Sequence, residues 1–249
     1  RFLIITKKQL MLGICALIAV IAVVIGSATA FAGNDRKLPI YCVETEKRQI
    51  AISFDAAWGN DDTQMLIDIL KEYNVPATFF VVGSWVDKYP ESVKALSDAG
   101  HQVQNHSNTH PHMPQLSKQQ MRDELESCNS KIKAITGVCP TLLRPPYGDY
   151  DNALIETVDS INMKTIQWSV DSLDWKDYGA DNIVKTVLNH KNLKDGAIIL
   201  MHNGAKYTKD ALPRIIEGLK EKGYEIVPVS QIIYTDNYEI NHAGEQIKK

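Results

Sequence analysis

Ile50-Ala51-Ile52-Ser53-Phe54-Asp55 is a short apolar run that ends on a carboxylate. Its length and its β-branched content fit a buried strand. A helical pattern follows, with Leu66, Ile67, Ile69 and Leu70 at helical spacing. The alternation then repeats. Strands are expected at 77–82, 102–105, 141–143, 164–170, 197–201 and 224–227, and helices at 92–99, 117–135, 152–158, 181–193 and 212–222. Ser117 followed by Gln120 fits a capping box, and Gly137 fits the end of that helix. Alternation of this kind predicts an α/β fold with a parallel sheet under helices, either a barrel or a doubly wound sheet. The expected strand ends carry Asp55, Asn105-His106, Arg144, Asp171 and His202. A barrel gathers such ends on one face, where active sites form. That clustering selects the barrel.

The 249 residues suffice for one large barrel or two small domains. With 27 Lys and Arg against 30 Asp and Glu, the net charge is -3, which excludes nucleic acid as an expected partner. No charged residue occurs from Gln9 to Asn34, Leu10–Ile25 is almost wholly apolar, and Lys7 and Lys8 precede it. Roughly 20 apolar residues span a bilayer as helix, with basic flanks on the cytoplasmic side. The expectation is a single-pass membrane protein whose body lies outside the cytoplasm. Ala28-Thr29-Ala30 and Ala30-Phe31-Ala32 resemble signal-peptidase sites, so a cleaved signal and a secreted body is the alternative. The expected organisation is a signal-anchor or transmembrane helix at 1–33, a linker at 34–47, the barrel domain at 48–236 and a tail at 237–249. Four cysteines make no disulfide framework in a body this size. A Cys128–Cys139 bridge and two free thiols both stay open, and oligomeric state leaves no trace.

His106-Ser107-Asn108-Thr109-His110 places two imidazoles four residues apart. On a helical turn they would share a face and reach one metal ion, although packing histidines would look the same. In Leu143-Arg144-Pro145-Pro146-Tyr147-Gly148 the prolines stiffen a turn and remove amide donors, leaving the Tyr147 amide for a substrate oxygen. Arg144 is a permanent cation that forks onto carboxylates. Asp171-Ser172-Leu173-Asp174-Trp175 offers two carboxylates and an indole, and His202 closes the strand Leu200-Met201-His202.

In this order the motifs closely resemble the NodB-homology polysaccharide deacetylases, carbohydrate esterase family four, over residues 48–233. Residues 77–83, Ala-Thr-Phe-Phe-Val-Val-Gly, are also typical of that family, and Phe54–Gly59 looks most like its sporulation-associated branch. The resemblance implies a distorted (β/α) barrel of seven or eight strands. It implies a hydrolase that removes N-acetyl groups from amino sugars of a peptidoglycan-like cell-wall polysaccharide, assisted by a divalent metal, Zn²⁺ or similar. It makes Asp55 the general base, His106 and His110 metal ligands, and Arg144 the group that orients Asp55. Tyr147 would hold the oxyanion through its amide, His202 would be the general acid, and Asp174 would tune His202. Trp175 and Leu200 would line the acetyl pocket, with Trp58 beside the substrate groove. Amide hydrolysis needs these parts: an activated water, a base and an acid for its protons, and donors where the oxyanion develops.

One position departs from the pattern. The resemblance implies a third metal ligand, an aspartate, directly after the base, and here that residue is Ala56. The spacing from Asp55 to Thr63 is kept, and Ala57 and Trp58 replace the usual glycine and proline. A catalytic zinc normally has three protein ligands, so two histidines should bind more weakly. His112, Asp61 or Asp62 could help. Alternatively the barrel has lost catalysis and binds or scaffolds carbohydrate, or Trp58 reshapes the groove for another amide or ester.

Overall fold

The computed structural model describes residues 36–249. The expected N-terminal membrane or signal helix lies outside those residues, and among them no helix is long and apolar enough to cross a membrane. The body opens with β1 (Cys42–Val43), β2 (Gln49–Ala56), α1 (Thr63–Glu72), β3 (Thr78–Val81), α2 (Gly83–Lys88) and α3 (Pro90–Asp98). It continues with β4 (Gln102–Asn105), α4 (Lys118–Thr136), β5 (Leu142–Leu143), α5 (Asn152–Ser160), β6 (Lys164–Thr165) and β7 (Val170–Asp171). It ends with α6 (Ala180–Leu188), β8 (Ile198–His202), α7 (Thr208–Glu221), β9 (Glu225–Ile226), α8 (Val229–Ile232), β10 (Tyr238–Ile240) and β11 (Glu245–Lys248).

The main sheet runs β6-β5-β4-β3-β2-β8-β7, with β9 beside the start of β2, and its pairings are parallel. It is a half-barrel of parallel strands, which fits the distorted barrel expected from the sequence. Period-two alternation on β2 explains how the site is placed. Ile50, Ile52, Phe54 and Ala56 pack with Leu66 and Leu70 of α1 and with Leu212 and Ile216 of α7. Ala51 instead packs with Phe80 and Ile198. Asp55 therefore leaves the last turn of the strand on the side away from the helices. The register sets Asp55 beside His202, and Val81 beside both Ala56 and Asn105, so the carboxyl ends lie level.

The long helix forms as read. Ser117 Oγ accepts from the Gln120 amide, the Gln120 side chain accepts from the Ser117 amide, and Gly137 closes the helix at φ 75°. The continuous strand expected at 164–170 is instead two short ones. Between them the chain turns to Ile40, whose amide donates to Thr165 O at 2.9 Å and whose carbonyl accepts from Gln167 at 2.7 Å. α7 starts at Thr208, ahead of the expected 212, and carries Pro213 inside it. The residues expected as linker and tail pair with each other: β1 runs parallel to β11, and β10 is antiparallel to β11. Cys42, Cys128 and Cys139 are free thiols, so no Cys128–Cys139 bridge forms. Cys128 is buried and its thiol donates to Val81 O.

Candidate active site

A cleft of about 650 Å³ opens at the carboxyl ends of the strands. Asp55, on its floor, accepts from Arg144 Nη1 at 2.9 Å and lies 3.6 Å from His106 Nε2 through its other oxygen. Arg144 is fully buried, donates its second arm to Gln167 O at 3.2 Å, and lies 4.2 Å over the Phe80 ring. Burial opposes ionisation of Asp55, but the guanidinium and the nearby imidazoles outweigh it and hold the carboxyl below its usual range. Asp55 is thus a carboxylate at neutral pH.

His106 Nδ1 lies 2.7 Å from Arg144 O, which makes that nitrogen the donor and leaves Nε2 with a lone pair. The His110 ring stands edge-on at 5.0 Å between centroids. Burial, reinforced by His106, pushes His110 down to about 4, and burial also lowers His106. Both rings are therefore neutral, as ligating imidazoles must be. The helical turn expected to align them is not there. They sit on an irregular loop in which Ser107 and His110 have φ 66° and 63°. Such backbone costs on the order of 1–3 kcal/mol per residue and persists where its surroundings over-determine it.

His202, at the end of β8, lies beside Asp55 in the register of the paired strands and lines the same cleft. Its Nδ1 lies 2.7 Å from Asp174 Oδ1, and its amide donates to Asp174 Oδ2 at 2.7 Å. Thr208 Oγ1 donates to the same oxygen at 2.6 Å. Burial would lower the imidazole pKa, yet the Asp174 bond and charge prevail and raise it. His202 keeps its proton above the ordinary histidine range.

Leu200 lines the interior of the cleft, while Trp58, Tyr147 and Trp175 stand half-exposed around it. The Trp58 ring lies 5.5 Å from that of His202. Tyr147 takes a left-handed backbone at φ 60°, where it meets the His110 edge at 4.6 Å. Eight of the ten residues singled out from the sequence line one cleft, and Arg144, fully buried, reaches it through Asp55. Asp174, fully buried, reaches it through His202. Trp168, Asp177 and Lys206 also line it, and nothing in their sequence pattern singled them out. Trp168 falls where one strand was expected and the chain breaks into two. Asp171, which the sequence marks only as a strand end, lines the cleft, accepts from the Leu173 amide at 2.9 Å, and has its pKa raised by burial.

Two of the three possible substitutes for a third ligand, His112 and Asp62, are engaged elsewhere. His112 contacts Asp149 at 3.1 Å and stacks on Tyr147. Asp62 accepts from the Gly204 amide with both oxygens, Asp61 is exposed, and Ala56 is buried among apolar side chains. Among the described residues no group of three or more His, Cys, Asp or Glu is arranged to hold a metal. His106 and His110 fit a divalent ion as two neutral nitrogen donors, one short of the usual set.

The polysaccharide deacetylase family model matches residues 43–166. A peptidoglycan-N-acetylglucosamine deacetylase of Bacillus cereus is 31% identical over 84% of this chain and 77% of its own length. The peptidoglycan-N-acetylmuramic acid deacetylase PdaC of Bacillus subtilis is 37% identical over 76% of this chain, which spans only 40% of that protein. The crystal structure of wild-type BA3943, a CE4 family pseudoenzyme from Bacillus anthracis, superposes with a TM-score of 0.75 at 35% identity, covering 80% of this chain and 69% of that one. The ordered motifs, the half-barrel and these similarities agree, and the chain belongs to the polysaccharide deacetylase family.

Proposed function

We propose that this protein hydrolyses N-acetyl groups from amino-sugar residues of a peptidoglycan-like cell-wall polysaccharide. The observation that carries this reading is the pair of neighbouring proton-transfer units, Asp55–Arg144 and His202–Asp174, at one cleft rimmed by aromatic rings. Exposed aromatic faces suit the apolar faces of sugar rings, and the names of the B. cereus and B. subtilis relatives support a peptidoglycan substrate.

In this mechanism Asp55 accepts the proton of a water that attacks the acetyl carbonyl carbon, giving a tetrahedral intermediate. His202, held protonated by Asp174, donates to the sugar nitrogen as the C–N bond breaks, and acetate and a free amine leave. Arg144 fixes the Asp55 carboxylate and keeps it ionised. A divalent ion on His106 and His110, Zn²⁺ in our reading, would acidify water and polarise the carbonyl. We place the enzyme at the cell membrane with its body outside the cytoplasm, on the apolar run Leu10–Ile25, and in sporulation, on the resemblance of Phe54–Gly59.

Ala56 supports a second reading, a carbohydrate-binding barrel with impaired catalysis, and the pseudoenzyme similarity favours considering it. Acetate release from N-acetylated peptidoglycan, with Zn²⁺ or Co²⁺ added, separates the two. Release that vanishes in Asp55→Asn and in His202→Ala supports hydrolysis. Glycan binding without metal uptake or acetate release supports the second reading.

A further inference from the structure

The loop carrying both histidines is clamped from outside the cleft, and the clamp is a residue with no assigned role. Glu124, half-buried on α4, accepts from the Asn108 and Thr109 amides at 2.8 Å each through one carboxylate oxygen. Its other oxygen accepts from Thr109 Oγ1 at 2.7 Å. The flanking amides are held from within: Ser107 N donates to Asn105 Oδ1 and His110 N to Ser107 Oγ. Glu124 therefore supplies the acceptors for both amides at the middle of the loop. The next glutamate on the same helix, Glu126, pairs with Arg122 one turn away. Glu124 reaches across to another segment instead, as a local helix pair would not.

The arrangement matters because of what the loop must do. Ser107 and His110 both take left-handed backbone, a conformation that neither side chain favours. Carbonyls of the loop are tied to α2, through Gly83 N to Ser107 O and Ser84 N to Asn108 O, both at 2.9 Å. Gly83 is glycine because a Cβ there would collide with Asn108. Lys131, also on α4, donates to Asn108 Oδ1 at 2.7 Å. The loop is thus held between α2 and α4, and of the bonds made by those helices the ones nearest His110 in sequence are those of Glu124.

We infer that Glu124 is a positioning residue: its carboxylate fixes the turn that aims His110 into the cleft beside His106. The functional part of this inference rests on the deacetylase reading. The positional part does not.

The test compares Glu124→Ala, Glu124→Gln and Thr109→Val in the full chain, by amide hydrogen exchange, His110 ring NMR and kinetics. The Tyr147 ring, 4.6 Å from His110, makes the His110 ring protons sensitive to small displacements through its ring current. In Glu124→Ala, exchange at Asn108 and Thr109 should rise by at least about tenfold, and the His110 resonances should move. Misplacement of this size should lower kcat by about ten- to a hundredfold with KM nearly unchanged. Glu124→Gln should restore most of each signal, because its carbonyl oxygen can accept both amides. Thr109→Val should move the His110 resonances less, in the same direction, and covers the case where Glu124→Ala does not fold. Wild-type exchange and His110 resonances in Glu124→Ala, or equal damage from Glu124→Gln, overturn the inference. Absence of acetate release by the wild-type protein overturns the deacetylase reading alone, since exchange and NMR still decide the role of Glu124.

Discussion

His202 Nδ1 and Asp174 Oδ1 lie 2.7 Å apart, and the same aspartate also binds the His202 amide, so one buried carboxylate fixes both the ring and the backbone of the proposed acid. An acid must be protonated to act, and a raised His202 pKa puts the alkaline limb of the activity profile above the ordinary histidine value. Asp174→Asn removes the charge that raises it. That limb should move to lower pH, and kcat/KM at neutral pH should fall by roughly a hundredfold or more. A pH–rate profile of both proteins checks this.

Arg144 and Asp55 form a buried ion pair in which neither partner can rehydrate. Arg144→Met leaves the carboxylate alone, so stability near neutral pH should fall by about 3–5 kcal/mol. The sign follows from the depressed Asp55 pKa. The pair's contribution is present above the unfolded aspartate value, near 3.9, and is lost as pH falls through the folded value. Urea titrations at neutral and acidic pH should show the difference between wild type and Arg144→Met shrinking in acid.

Ala56→Asp puts a carboxylate back beside Asp55, at a position buried among apolar side chains. Without metal the variant should melt below the wild type, because a desolvated carboxylate has been added. With Zn²⁺ the loss should be recovered and metal affinity should exceed that of the wild type, since a ligand that binds only the native state stabilises it. Melting curves with Zn²⁺ and with a chelator test both halves. A melting temperature indifferent to metal would count against a missing third ligand at position 56.

Trp58 is 54% exposed and lies against the His202 ring. Trp58→Ala should leave the melting temperature nearly unchanged and weaken glycan binding by about three- to tenfold, the scale of an aromatic contact. Steady-state kinetics should show this mainly in KM. Calorimetry with chitooligomers reads the same change if turnover is slow.

Much of this was legible from residue types alone. The parallel sheet followed from alternating runs, and the cleft from polar residues at strand ends, because register is set by the same alternation that buries Phe54 and turns Asp55 the other way. The long helix was legible because Ser117, Gln120 and Gly137 are local signals. What escaped was non-local. The break at 166–169 depends on Ile40, and α7 starts early because packing of Ala211, Leu212 and Ile215 outweighs the cost of Pro213. The histidine spacing pointed to the right neighbours for the wrong reason: a strained loop, not a helical turn, brings them together. Glu124 was illegible, since its partners, two backbone amides and the Thr109 hydroxyl, lie on a separate loop.

The small sheet of β1, β10 and β11 joins residues from opposite ends of the described chain. Contacts of such long sequence separation form slowly, and during synthesis they must wait for residues 238–248 to emerge. The β1 segment also carries Ile40, which bridges to Ile166 beside β6. Closure at that edge is therefore a late event in folding. Chains halted before Tyr238 should leave Cys42 and Val43 without their partner strand, an unpaired edge open to aggregation.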